Sequence, residues 1–245
     1  MVKLMVSEGV SYGHPDKIAD IIADVIVGAY VTEDSNSRCG IEVMIKDNTV
    51  ILGGEVKSNA TIDLDSIVKN VFNDIKFPEN HNLSPQDIKV INLIGEQSIE
   101  ISKGVDKSED EIGSGDQGVV FGFASNETEE YMPLGNQFAR DLWKELIKID
   151  GLGPDIKTQV TVDYEVKKII EVVVSTMHQI SLDETRDIVT QVIDNLFDTK
   201  YKNNKSGFLN YVINLNGEWK VSSIDGKIIP ETLEEVKLSF DNTSN

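Results

Sequence analysis

In TIDLDSIVKNVFNDI (residues 61–75), Leu64, Ile67, Val68, Val71, Phe72 and Ile75 fall on one face of a 3.6-residue period, which predicts an amphipathic helix. Ahead of it, CGIEVMIKDNTVILGGEVK (39–57) holds two β-rich runs around Asp47-Asn48, a turn dipeptide that tolerates unusual backbone angles, and predicts a hairpin. Behind it, Ile88 to Ile94 reads as a short strand. The order then repeats. IKTQVTVDYE (156–165) and KKIIEVVVSTMH (167–178) flank a turn, SLDETRDIVTQVIDNLF (181–197) puts Ile188, Val189, Val192, Ile193 and Leu196 on one face, and a strand-like FLNYVINLNGEWKV (208–221) follows. Ser181 with Glu184 forms a capping box at the start of that helix. Further helices, Pro15 to about Tyr30 and Met132 to about Ile149, connect or cover the units. The expectation is an α+β fold of repeated hairpin-helix-strand units, with stacked sheets and helices outside.

Between the repeats, Glu100 to Gly118 is polar and has neither apolar period, as lids and binding loops do. The VVFGFA after it (119–124) reads as a strand. Pro230 to Asn245 is acidic at first and ends in DNTSN, a marginal helix or frayed tail. The expected division is therefore 1–100, 101–229 and a tail from 230 to 245.

Composition narrows the function more than the fold. With 42 acidic and 23 basic residues the formal charge is −19, so the whole-molecule field repels nucleic acid and anionic lipid surfaces. A small polyanion such as a nucleotide stays open, because a divalent metal and a few lysines can neutralise phosphate inside a cleft. Cys39 is the single cysteine, which excludes a disulfide scaffold and predicts a reducing, cytoplasmic setting. The N-terminus lacks a signal-peptide pattern, and the longest apolar run, Ile21 to Val31, carries Asp24, so no membrane span is expected.

Gly13-His14-Pro15-Asp16-Lys17 stands directly ahead of an apolar-periodic helix. Proline at the first helical position marks a helix N-terminus, where free N–H groups favour phosphate. The same spacing also suits an ordinary cap with a solvated histidine. Gly113-Ser114-Gly115-Asp116-Gln117-Gly118 matches G-x-G-x-x-G but follows an acidic loop and precedes a strand-like run, which is the wrong context for a dinucleotide site. Asp155 and Lys157 share one face at the start of a strand, as a polar-ligand pair or as a surface ion pair. Glu42 and Glu55 sit on the predicted hairpin, His81 and His178 read as structural or solvated, and no nucleophile triad or zinc spacing is present.

Together, SEGVSYGHPDKIAD (7–20), GGEV (53–56), IGEQS (94–98), GVD (104–106), GSGDQGVVFGFASNETEEYMPL (113–134), PDIKTQV (154–160) and VVVSTMH (172–178) resemble the S-adenosylmethionine synthetase family, in the family's order and over roughly residues 3 to 215. The resemblance implies three similar α/β units per subunit and active sites between the subunits of a dimer. It implies attack of methionine sulfur on C5′ of ATP, with tripolyphosphate released and then hydrolysed, and it implies Mg²⁺ and K⁺ as cofactors. By motif, His14 and Lys157 would be catalytic, with His14 donating to the leaving oxygen and Lys157 contacting the triphosphate. Glu8, Asp116, Asp155 and Lys227 would address ATP, Asp16 would hold Mg²⁺, Glu42 would support K⁺, and Glu55 with Gln97 would flank methionine. Ser98 to Glu109 would be the family's mobile lid.

Departures from the family pattern are equally plain. The third unit is not present in these residues, Gly217-Glu218-Trp219 stands where the family has Gly-Arg-Phe, and Tyr12 stands where it has an acidic or small residue. SSIDGKII (222–229) shortens a glycine-rich stretch, with Lys227 as the second basic position and Asp225 beside it. The expected activity is methionine adenosyltransferase, completed in a homo-oligomer or by a separate chain that supplies the missing unit. The alternatives are a non-catalytic, nucleotide-binding partner of a full-length synthetase, and a form that retains only triphosphate hydrolysis.

Overall fold

The computed structural model describes residues 3–78, 84–97, 118–215 and 218–223. These divide into two units, and the division is not continuous in sequence. Strand β1 (Leu4–Val10) and the residues through His14 belong with those from Ala124 onward, whereas Pro15–Phe123 form the smaller unit. β1 joins the later residues because it pairs antiparallel with a strand from the second half of the chain.

The smaller unit begins with α1 (Pro15–Glu33), whose proline suits the first helical position because its missing N–H has no intrahelical acceptor there. Then come β2 (Arg38–Lys46), β3 (Thr49–Lys57), α2 (Leu64–Ile75), a 3₁₀ turn (Pro85–Asp87), β4 (Lys89–Asn92) and the short β5 (Gly95–Glu96). Lys46 pairs with Thr49, which leaves Asp47-Asn48 as the hairpin turn, with Asp47 at φ 54°. β4 and β5 both pair parallel to β3. Ile18, Ile22 and Ile26, at four-residue spacing on α1, meet Val68, Val71, Phe72 and Ile75 of α2 over Val50 and Leu52.

The larger unit repeats the plan. α3 (Leu134–Leu146) leads, β6 (Leu152–Asp163) and β7 (Lys168–His178) form a hairpin, α4 (Leu182–Thr199) crosses over, and β8 (Lys205–Leu215) returns parallel to β7. β9 (Glu218–Ser223) extends the sheet, whose order is β1-β6-β7-β8-β9. Thus each hairpin-helix-strand unit carries its own leading helix, and the duplication expected from the apolar pattern is present. Phe138 of α3 is fully buried in the core, with ring centroids 4.8 Å from both Phe197 and Tyr201.

The details differ from expectation at particular places. Val119, Val120, Phe121 and Phe123 form no strand and are largely exposed, since β-propensity is a fit to a half-buried pleated surface and no strand pairs with them among the described residues. The run 208–221 is not one strand but the antiparallel pair β8 and β9, with Leu215 opposite Glu218. α3 starts at Leu134, not Met132, because Pro133 precedes it in an extended conformation and the Glu127 carboxylate accepts from the Leu134 N–H at 3.0 Å.

Candidate active site

On β6 the side chains of Ile156, Thr158 and Val160 are buried, so period-2 alternation turns Asp155, Lys157 and Gln159 to the other face, half-buried. Glu8 lies opposite Gln159 and Val10 opposite Lys157, which puts Glu8 on that same face. Glu8 Oε2 is 3.2 Å from Lys157 Nζ, with side chains 50% and 42% exposed. An ion pair this wet is worth only about 0.2–1 kcal/mol, so an incoming anion can take over the ammonium at small cost. The expectation that Asp155 and Lys157 share one face holds, and the structure adds Glu8 to them.

The β1–β6 ladder ends at Val10, and the chain then turns against the start of β6. The Ser11 N–H donates to Ile156 O at 2.9 Å and the Gly13 N–H to Pro154 O at 3.0 Å. A Cβ on Gly13 would lie 2.5 Å from the Pro154 carbonyl, so only glycine permits this approach. The His14 N–H closes the turn on Ser11 O at 3.1 Å, and the half-buried His14 leads directly into α1. Ser11 itself is fully buried and its hydroxyl is bonded to the backbone around Asp155. Sequence reasoning passed over Ser11, whose only signal is a hydroxyl between Val10 and Tyr12.

The other expected site residues lie in the smaller unit. Asp16 is exposed in the first turn of α1, and Lys17 pairs with Asp20 at 2.9 Å. Glu42 stands opposite Gly53 and Glu55 opposite Gly40, so both carboxylates project from one face of the hairpin beside residues without side chains. Gly54 between them has φ +108°, and a Cβ there would run into the Gly40 carbonyl oxygen. β5 joins β3 at Glu55 and Val56, and the Gln97 N–H donates to Val56 O at 3.2 Å. Gln97 Oε1 is buried without a hydrogen-bond partner, an acceptor suited to a ligand's N–H donor.

Among the described residues no group of three or more His, Cys, Asp or Glu could hold a metal. Exposed Asp16 fits the alternative mode, in which Mg²⁺ takes one carboxylate and the rest of its shell from phosphate and water. Asp116, Asp225, Lys227, His81 and the expected lid lie outside the described residues, and Glu218 and Trp219 are placed on β9 by their backbone. His178 Nδ1 is 2.7 Å from Ile180 O at the end of β7, a structural role. Burial pushes the Cys39 thiol up, away from thiolate chemistry.

The fold is thus a duplicated α+β unit in which an acid, a lysine and a histidine turn gather where β1 meets β6. Residues 2–99 match the S-adenosylmethionine synthetase N-terminal domain, and residues 111–219 match its central domain. The S-adenosylmethionine synthase of Christiangramia forsetii is 42% identical over 191 residues, covering 73% of this chain and 46% of that protein. That of Mycoplasmopsis pulmonis is 39% identical over 231 residues, covering 89% and 59%. An unusual S-adenosylmethionine synthetase from Campylobacter jejuni has a similar structure, with TM-score 0.69 and 35% identity over 94% of this chain and 60% of that one. The chain belongs to the S-adenosylmethionine synthetase family. It spans from 46% to 63% of the length of these and a further curated relative from Clostridium tetani.

Proposed function

We propose that the chain carries the N-terminal and central parts of a methionine adenosyltransferase site, forming S-adenosylmethionine from ATP and L-methionine. The observation that supports this most directly is the convergence of Glu8, Asp155, Lys157 and the His14 turn at one end of the β1–β6 pair. Sulfur attack on C5′ needs little acid–base chemistry and much charge neutralisation on the departing triphosphate. Lys157, released from its exposed pair with Glu8, meets a triphosphate oxygen, and His14 donates to the oxygen that leaves C5′. Glu8, Asp155, Asp116 and Lys227 belong to the ATP side of the reading. Glu55 and the unpartnered Gln97 Oε1 suit the methionine ammonium group. Asp16 would hold Mg²⁺, which supplies charge neutralisation between phosphates, and Glu42 would support K⁺.

The same reading makes the protein cytoplasmic and a homo-oligomer, or a subunit whose third unit comes from a separate chain. No helix among the described residues is long and apolar enough to cross a membrane. The sequence Gly217-Glu218-Trp219 favours a second reading, a nucleotide-binding partner without transferase activity, because an anion replaces the family's cation.

Chromatographic detection of S-adenosylmethionine from ATP, methionine, Mg²⁺ and K⁺ separates the two. The expected result is product formation that falls by about 10²–10³-fold in His14→Ala and in Lys157→Ala at unchanged fold. ATP binding without product supports the partner reading, and full turnover in both variants removes the roles given to His14 and Lys157.

A further inference from the structure

We infer that Ser11 is a positioning residue that sets where Asp155 and the His14 turn stand relative to Lys157; the inference rests on the adenosyltransferase reading above. The regular sheet does not do this. β6 advances from Leu152 to Ile156 while β7 moves only from His178 to Thr176, so the stretch holding Asp155 is out of register with β7. On the other side the β1 ladder stops at the Val10–Lys157 pair. The Ser11 hydroxyl fills the gap. It donates to Pro154 O at 2.5 Å, with Ile156 O at 3.2 Å, and accepts from the Ile156 N–H at 2.8 Å.

The carbonyl before Asp155 and the amide after it are therefore both tied to one side chain that is 0% exposed. Water cannot replace it there without opening the turn, so the hydroxyl fixes the backbone on both sides of Asp155. The backbone of Ser11 also accepts from the His14 N–H at 3.1 Å, which couples the histidine turn to the same anchor. A misplacement of about 1 Å at such groups lowers turnover strongly while leaving remote packing intact.

Amide exchange and steady-state kinetics on the full chain test the assignment. In Ser11→Ala, the Ile156 amide exchanges at least about tenfold faster while the amides of Val162 and Val189 keep wild-type rates. The kcat for S-adenosylmethionine falls about 10- to 100-fold, with KM for ATP and methionine within about threefold. Ser11→Cys, nearly isosteric with a weaker donor, falls between the two and carries the comparison if Ser11→Ala does not fold. Unchanged exchange at Ile156 overturns the anchor, and unchanged kcat overturns the positioning role. If the wild-type chain forms no product, the adenosyltransferase reading fails, and calorimetry with inorganic tripolyphosphate decides the matter. Binding at least about fivefold weaker in Ser11→Ala upholds the role, whereas equal affinity, or no binding by either chain, overturns it.

Discussion

Asp141 accepts from the Tyr201 hydroxyl at 2.6 Å, Lys200 Nζ at 2.7 Å and Gln137 Nε2 at 2.9 Å. Burial alone would raise its pKa, but the bonds from Lys200 and Tyr201 outweigh it and hold the carboxyl below the usual range. A depressed folded-state pKa gives stability that is whole above the unfolded value of about 4 and is lost as pH falls through the folded one. Asp141→Asn is therefore expected to lower the urea midpoint clearly at pH 7 and much less at pH 3; equal losses at both would contradict the ionised network. At the alkaline end, burial and then the bond from Tyr164 to Glu127 push the Tyr164 hydroxyl up to about 12. Its contribution is whole below about 10 and fades as pH rises towards that value. Glycines show what a sequence withholds at this scale. Gly53 and Gly54 look alike in print, yet only Gly54 has φ +108° and a carbonyl where its Cβ would go. Gly54→Ala is expected to destabilise by about 1–3 kcal/mol in urea unfolding, while Gly53→Ala, with no atom nearer than 4.0 Å to the added carbon, stays within about 0.5 kcal/mol.

At the level of elements, the helices were legible because a 3.6-residue apolar period is written locally. α2 and α4 carry their expected faces, and Ser181 accepts from the Glu184 N–H at 3.3 Å as the capping box requires. Ser181→Ala is expected to lower stability by about 1 kcal/mol, read as a shifted thermal midpoint with the active-site residues untouched. The hairpin at Asp47-Asn48 was equally clear, whereas the antiparallel pairing of β8 with β9 was hidden inside a single strand-like run. Strand signals fail in both directions here. β1 was not foreseen, since LMVSEGV has no clean alternation, and its Leu4, Met5 and Val6 are all more than half exposed. VVFGFA has the composition of a strand but lacks a partner to pair with among the described residues. A helix satisfies its own backbone, and a strand depends on another segment to do so.

For the whole molecule, the repeated unit and the family motifs could be read from the chain, and the charge of −19 set limits on its partners. Val119, Val120, Phe121 and Phe123 are 75–95% exposed, an apolar segment of the kind that protein interfaces cover. The proposed homo-oligomer predicts a sedimenting mass above the 27.2 kDa of one chain at micromolar concentration; a monomer at every concentration argues for a separate partner or none. Of the candidate site, the sequence placed Asp155 and Lys157 on one strand face and put His14 and Asp16 at a helix start. Only the tertiary structure brought Glu8 to within 3.2 Å of Lys157, set Gly13 against Pro154, and closed Ser11 around Asp155. Periods, caps and turn dipeptides follow from backbone geometry over a few residues, so the sequence determined them by itself. Which strand lies beside β6 is settled by competition among distant segments for hydrogen bonds and for a place over the core, and that competition is decided only when the whole chain folds.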